Sequence, residues 1–341
     1  MQTFNEQSFK YIALDKQLNE LVDITAYVEE GGSIEYNSLS TLKANCNIPI
    51  SLGAEETLNL NAIRIYEVLN KVETCLGTFL ISTPASSYDN AIQNVDCTGY
   101  STLWRLNSNT PSDRYFVAQG TNAVAEVKRI LDSLGYEYDI AESTKTTSVN
   151  VEWDYGTSWL TIINDLLAAI NYTSLCVNAM GVYIATDYVL PEDKEPDITL
   201  NEDDLDNILE PKQNNELDLF NIPNRFVMYV NNAETNLCAI YERTYGETGT
   251  DNTWVNTYVE SVSDAADYDT LYAMCKKKSA ESVSIYNKVQ ISTAITMLPT
   301  YMPTIELNHY KAIGKYQCTS FTIDLSVGGS MDLNLRKVVT A

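Results

Sequence analysis

The chain has 341 residues, 45% apolar and 10% aromatic, and carries 46 acidic against 22 basic side chains for a net charge of −24. That length calls for two or three domains with ample core. So acidic a surface repels nucleic acid and anionic membranes, which argues against DNA as a bound ligand but not against DNA that slides past without sticking. No apolar run approaches the ~18 residues of a membrane span, and Met1 to Lys10 lack the basic start and apolar core of a signal peptide. The expectation is a chain made in a cytoplasm, with no membrane insertion. Seven cysteines (46, 75, 97, 176, 238, 275 and 318) stand singly beside one histidine, His309. Zinc sites need clustered Cys and His, so these read as reduced, mostly buried thiols.

In chain order, the first hundred residues read as short strands. They are Tyr11 to Leu14, Ile24 to Val28, Ser33 to Tyr36, Lys43 to Ile50, Ile63 to Leu69 and Leu76 to Ser82, with Asn94 to Leu106 as one more extended piece. Many short strands at regular spacing suggest a barrel or sandwich. Next, Asn122 can cap a helix carrying Val124, Val127, Ile130, Leu131 and Leu134, with Gly135 ending it. A strand from Ser148 to Trp153 follows, then a helix capped by Ser158, then a hairpin around Met180-Gly181. This is a small α+β unit with its own core.

Pro191 to Pro211 is rich in Asp and Glu and reads as extended, solvated chain. Strands Asn224 to Val230 and Leu237 to Tyr241 come next, then a polar turn from Tyr245 to Trp254. Ser263 is expected to cap a helix to about Tyr286, with Asp264 and Asp267 in its first turn. A strand from Lys288 to Ile295, another from Ile305 to Asn308, and a closing hairpin complete the chain. In that hairpin Phe321, Ile323, Leu325 and Val327 share one face, and Met331, Leu333 and Leu335 do the same after Gly328-Gly329. A three-residue loop would pair Leu325 with Met331, Ile323 with Leu333 and Phe321 with Leu335. A charge at Ile323 would then unfold this unit.

No catalytic, cofactor-binding or metal residue emerges. The run Glu202-Asp203-Asp204-Leu205-Asp206 lacks the glycine that an EF-hand loop requires, and reads as solvated linker. His309 has no nucleophile in a G-x-S-x-G elbow, and reads as a loop or strand-end residue. Gly328-Gly329 is followed by no helix and no G-K-[ST], so it is not a phosphate loop. Lys276-Lys277-Lys278 fan round about two-thirds of a helix and suit salt bridges better than an anion site. The 23 tyrosines suit a sugar or partner surface, or simply strands.

Four stretches carry a family resemblance. They are Gly77-Thr78-Phe79-Leu80-Ile81-Ser82 with Val95 to Tyr100; the insert Gly120 to Asp187; Asn221 to Val230; and a helix followed by Leu298-Pro299 and the hairpin Gly314 to Val338. Together they resemble the tail hub (baseplate hub) proteins of tailed bacteriophages and contractile injection systems. The resemblance implies a mainly β fold of two tail-tube-like β-barrel domains plus a small inserted α+β domain. The expected divisions are a first barrel at 1–110, the insert at 111–190, an acidic linker at 191–222, and a second barrel with the long helix at 223–341. It also implies a non-enzymatic structural protein without cofactor, a homotrimer whose six barrels match a six-fold tail tube and a three-fold spike. Its partners would be tail tube, spike or tail-tip and tape-measure proteins, and its location the virion, assembled in host cytoplasm. No wall hydrolase follows Ala341, so such activity is expected on a separate protein. The alternatives are a receptor- or carbohydrate-binding tail-tip protein, and after it a cell-wall hydrolase.

Overall fold

The computed structural model describes residues 6–53, 60–82, 85–89, 92–201, 210–215, 223–232, 235–243, 255–283, 287–296, 298, 302–309 and 312–338. A first β unit comprises β1 (Gln7–Leu14), β2 (Glu20–Asp23), β3 (Ser33–Asn37), β4 (Ala44–Gly53), β5 (Ala62–Leu69), β6 (Val72–Ile81), β7 (Ala85–Asp89) and β8 (Ile92–Ser101). A short helix α1 (Leu103–Asn107) leads into an insert of β9 (Tyr115–Val117), α2 (Ala123–Leu134), β10 (Tyr138–Ile140), β11 (Val151–Trp153), α3 (Trp159–Ala169), β12 (Cys176–Val177) and β13 (Tyr183–Ala185). Then come β14 (Ile198–Asn201), β15 (Glu210–Asn215), β16 (Arg225–Val230), β17 (Cys238–Glu242), β18 (Thr257–Val262), α4 (Tyr268–Val283), β19 (Asn287–Thr293), β20 (Thr304–His309), β21 (Ala312–Asp324) and β22 (Met331–Lys337). The fold is mainly β with a small α+β insert, as expected.

The long strand β21 ties the molecule together. Its first half pairs with β20, its second half with β3, and its other edge with β22. Strands from both ends of the chain therefore belong to one 14-stranded sheet. They also share one core, in which Ile34, Ile48, Ile63 and Phe79 of the first unit join Ile291, Ile305, Phe321 and Leu333 of the second. The second β unit is β14, β15 and β19 to β22, so residues between β15 and β19 are themselves an insertion. There β16, β17, β18 and α4 form a separate layer with its own core of Phe226, Met228, Ala239, Leu271 and Cys275. The expected second barrel from Pro223 included this layer. The layer stands apart because its apolar residues pack on α4 rather than into the main sheet.

The acidic stretch is more than linker. Ile198 to Asn201 runs parallel to β20, and Glu210 to Asn215 pairs with β19. Leu200 enters the main core at 1% exposure and Ile198 packs against it, so two alternating apolar positions dock this strand among acids. The run from Glu202 to Asp206 lies outside the described residues, as do Asn221, Ile222 and the whole Tyr245 to Trp254 turn. Ile24 to Val28 is not a strand: Thr25–Tyr27 is one 3-10 turn, fixed by the Asp23 carboxylate accepting from the Thr25 amide. Leu103 and Leu106 lie on α1 rather than in an extended piece, and both are buried in the insert core.

Local capping signals were met in the insert. The Asn122 side chain accepts from the Ala125 amide, Gly135 closes α2 at φ +72°, and the Ser158 hydroxyl accepts from the Thr161 amide. The last helix differs. It begins at Tyr268, beyond the expected cap at Ser263, where the Asp267 carboxylate accepts from the Thr270 amide. The closing hairpin buries the expected face, from Phe321 to Leu335, but in another register. Ile323 pairs with Met331 and Phe321 with Leu333, and a bulge at Thr319 brings Cys318 opposite Leu335. Val327 sits in the turn and is exposed.

Candidate functional site: the docking of the insert

The sequence-selected residues do not converge. His309 ends β20 opposite Ala312, and Gly328-Gly329 lie in the hairpin turn. The three lysines part company. Lys276 lies over Tyr272, Lys277 over Tyr188 at 4.5 Å, and Lys278 pairs with Glu260 at 3.1 Å. Burial lowers the Lys277 pKa. None of the seven cysteines is in a disulfide; five are buried and Cys238 is exposed. Among the described residues no group of three His, Cys, Asp or Glu is placed to hold a metal ion. No helix among the described residues is long and apolar enough to cross a membrane.

What the structure does build is a set of polar joints that hold the insert against the first β unit and the α4 layer, and the stretch after the insert against the second β unit. The β12–β13 turn presents three consecutive carbonyls to the first unit. The Ala179 carbonyl accepts from the Thr78 hydroxyl at 2.8 Å, Met180 from Arg64 Nη2 at 3.3 Å, and Gly181 from the Thr102 hydroxyl at 3.2 Å. The Asn178 carboxamide shapes the turn by accepting from the amides of Met180 and Val182. Gly181 has φ +87° and lies where a Cβ would meet Leu18, Thr102 and Thr78 at 3.1–3.3 Å. Tyr183, 2% exposed, returns a hydrogen bond to the Thr102 carbonyl at 2.8 Å.

Arg64 organises this joint. Its side chain is 7% exposed. Nε donates to the Thr78 hydroxyl, Nη1 to Glu20, and Nη2 to the carbonyls of Leu18 and Met180. The planar fork satisfies donors in three directions, which lysine could not match. Beside it, burial pushes the Cys75 thiol up to about 11, with Arg64 opposing, so this thiol is not a poised nucleophile.

Two further joints complete the clamp. Asp264, 3% exposed, accepts from the Ser148 hydroxyl at 2.6 Å and the Ser148 amide at 3.2 Å, fastening the α4 layer to the insert. Burial raises its pKa, and the Ser148 bonds oppose that. Lys315 Nζ donates to the carbonyls of Glu192 and Lys194, and Thr304 and Asp197 exchange hydrogen bonds at 2.7 Å. An apolar cleft of about 600 Å³ remains between the β12–β13 hairpin and Leu298, Met302 and Gln317. Its wall includes Asp187 and Lys194, and Lys194 is paired with Asp197 at 2.7 Å. These arrangements fasten the insert and the stretch after it; they assemble no nucleophile with a base. The sequence carries no signal for Arg64 or Lys315 and marks Asp264 only as a first-turn helix residue, because the bonds that join them to the insert or to the stretch after it span more than a hundred residues.

No family model matches the chain, and no curated protein does. Solved structures do. A 43 kDa tail protein of prophage MuSo2 from Shewanella oneidensis superposes with a TM-score of 0.67 at 8% identity, covering 98% of each chain. A tail protein from Neisseria meningitidis MC58 gives 0.65 at 12% identity, covering 97% of this chain and 96% of its own. An Escherichia coli type VI secretion component, itself similar in structure to the bacteriophage T4 tail proteins gp27 and gp5, gives 0.53 at 11% identity over 92% of this chain and 74% of its own. The chain thus has the fold of phage tail proteins, as its resemblance to the tail hub family implied.

Proposed function

We infer that the chain is a structural tail protein that forms a homotrimeric ring between a six-fold tail tube and a three-fold spike or tail tip. The observation that carries this reading is the match in fold over nearly the whole of both chains, insertions included. In this reading β1 to β8 form the first tube-like barrel, and β14, β15 and β19 to β22 the second. Three copies supply six such units, the symmetry of a tube. Among the described residues the ends of the main sheet path, β2 and β15, have one neighbour each, and a closed ring covers such edges. A net charge of −24 suits a lumen that DNA crosses without adhering. Tail tube, spike and tape-measure proteins are the partners, and the virion, assembled in host cytoplasm, is the location. The protein has no enzymatic role in this scheme.

Solution mass and particle reconstruction test it together. A mass of three chains, and density for the chain at the tube–spike junction, is the expected result. A monodisperse monomer that never joins a tail overturns it. A second reading, contact with a receptor or carbohydrate, draws on one place in the insert. Phe116 and Tyr155 are 59% and 66% exposed, with Arg114 stacked over Tyr155 and paired to Glu152. Binding to glycans or whole cells that is lost in Phe116→Ala would favour that reading.

A further inference from the structure

The layer of β16, β17 and β18 has one covered face and one open face. Phe226, Met228 and Ala239 pack toward α4. Simple alternation would place polar residues on the other side. Instead β16 reads Arg-Phe-Val-Met-Tyr-Val, apolar on both faces. Val227 pairs with Ile240 on one side and Val259 on the other, so three branched side chains form a row across the sheet. Tyr229 follows them along the strand. Ile240 and Val259 are 51% and 59% exposed. A strand apolar on both faces is the pattern of a sheet covered on both faces.

We propose that the open face of β16, β17 and β18 is a subunit contact, covered by a second copy of this chain. The proposal rests on the trimer reading and assigns a surface to it. Charge identifies the occupant. Two copies at −24 each repel over most of their surface. On the strands of this face, among the described residues, the ionised side chains are Arg225 and Glu242, which neutralise each other with Nε donating to Oε1 at 2.7 Å. A cationic partner would gain more from the acidic surface elsewhere, whereas a neutral apolar face is where a second acidic chain can approach. A standard contact takes about 800 Å² from each partner around an apolar centre. The Ile240–Val227–Val259 row supplies that centre, and Thr257, Ser261 and the Arg225–Glu242 pair supply a polar rim. A three-fold ring needs contacts between unlike surfaces, so the face meets a different part of the neighbouring copy.

Ile240→Asp and Val259→Asp in the full chain test this by sedimentation across a concentration series. Both positions are exposed, and circular dichroism and melting curves are expected to match the wild type when each is compared as a single chain. The wild type is expected at the mass of three chains. Each variant is expected at the mass of one, with the dissociation constant raised about a hundredfold or more, since a carboxylate without a partner is forced into the contact centre. Variants that stay trimeric overturn the assignment of this face and leave the ring standing. A wild type that stays monomeric at every concentration overturns both.

Discussion

Ala179, Met180 and Gly181 turn three carbonyls in a row onto Thr78, Arg64 and Thr102, so one glycine governs how closely the insert approaches. Gly181→Ala meets two obstacles at once, a left-handed φ and contacts at 3.1–3.3 Å with Leu18, Thr102 and Thr78. The expected cost is about 1–3 kcal/mol, read as a lower urea midpoint by fluorescence of Trp153 and Trp159; an unchanged midpoint would refute the close docking. Asp264 gives the joint a pH signature. Burial raises its folded pKa above the ordinary 3.8, so the folded chain binds this proton more readily than the unfolded chain. Its contribution to stability therefore grows as pH falls from neutral through the raised value toward 3.8. Asp264→Asn is neutral throughout, so the wild type is expected to gain on the variant over that window. A stability difference flat with pH would show that Asp264 keeps an ordinary pKa. The sequence marks the Met180-Gly181 turn but not what it docks against, and it suggests Asp264 only as a first-turn helix residue, since each of these bonds spans some 80–116 positions.

Elements were legible where their determinants are local. Asn122, Gly135 and Ser158 act within four residues of themselves, and the sequence marks the helix ends there. Parity likewise identified which face of β21 and β22 is buried. The register was not legible, because distant backbone decides it. The Leu325 amide donates to the Gly32 carbonyl rather than pairing across the hairpin, and the Thr319 carbonyl at the bulge accepts from the Ser38 amide. Both partners belong to the first β unit. Ile323 consequently lies between Met331 on one strand and Ile34 on the other, at 2% exposure. Ile323→Asp would bury a carboxylate at the strand joining both units, at a cost of about 4 kcal/mol or more. Loss of soluble folded protein, or a collapse of the melting temperature, is the expected outcome; a loss below about 1 kcal/mol would show that the joint tolerates water.

At the scale of the whole molecule, the sequence correctly suggested strands, an inserted α+β unit, then strands and a helix. It did not disclose that the outer strands merge. The pairing of β3 with β21 joins residues such as Ile34 and Ile323, nearly three hundred positions apart, and no periodicity encodes a contact of that range. Nor did it disclose the second insertion, since β16 reads much like a strand of the main sheet. The merged sheet makes a definite demand on dynamics. Two barrels with private cores would open independently, each at its own free energy. Here Ile34, Phe79, Ile305 and Leu333 lie in one cluster, so separating β3 from β21 exposes both sides of the same core. Native-state hydrogen exchange is the direct measurement. Amides of β3, β4, β21 and β22 are expected to exchange through one shared opening, with free energies agreeing within about 1 kcal/mol. The insert and the α4 layer, each with its own core, are free to open at or below that level. If β21 and β22 exchange several kcal/mol more readily than β3 and β4, the two units are energetically separate despite the shared sheet, and a ring built from them would carry six independent barrels rather than three fused pairs.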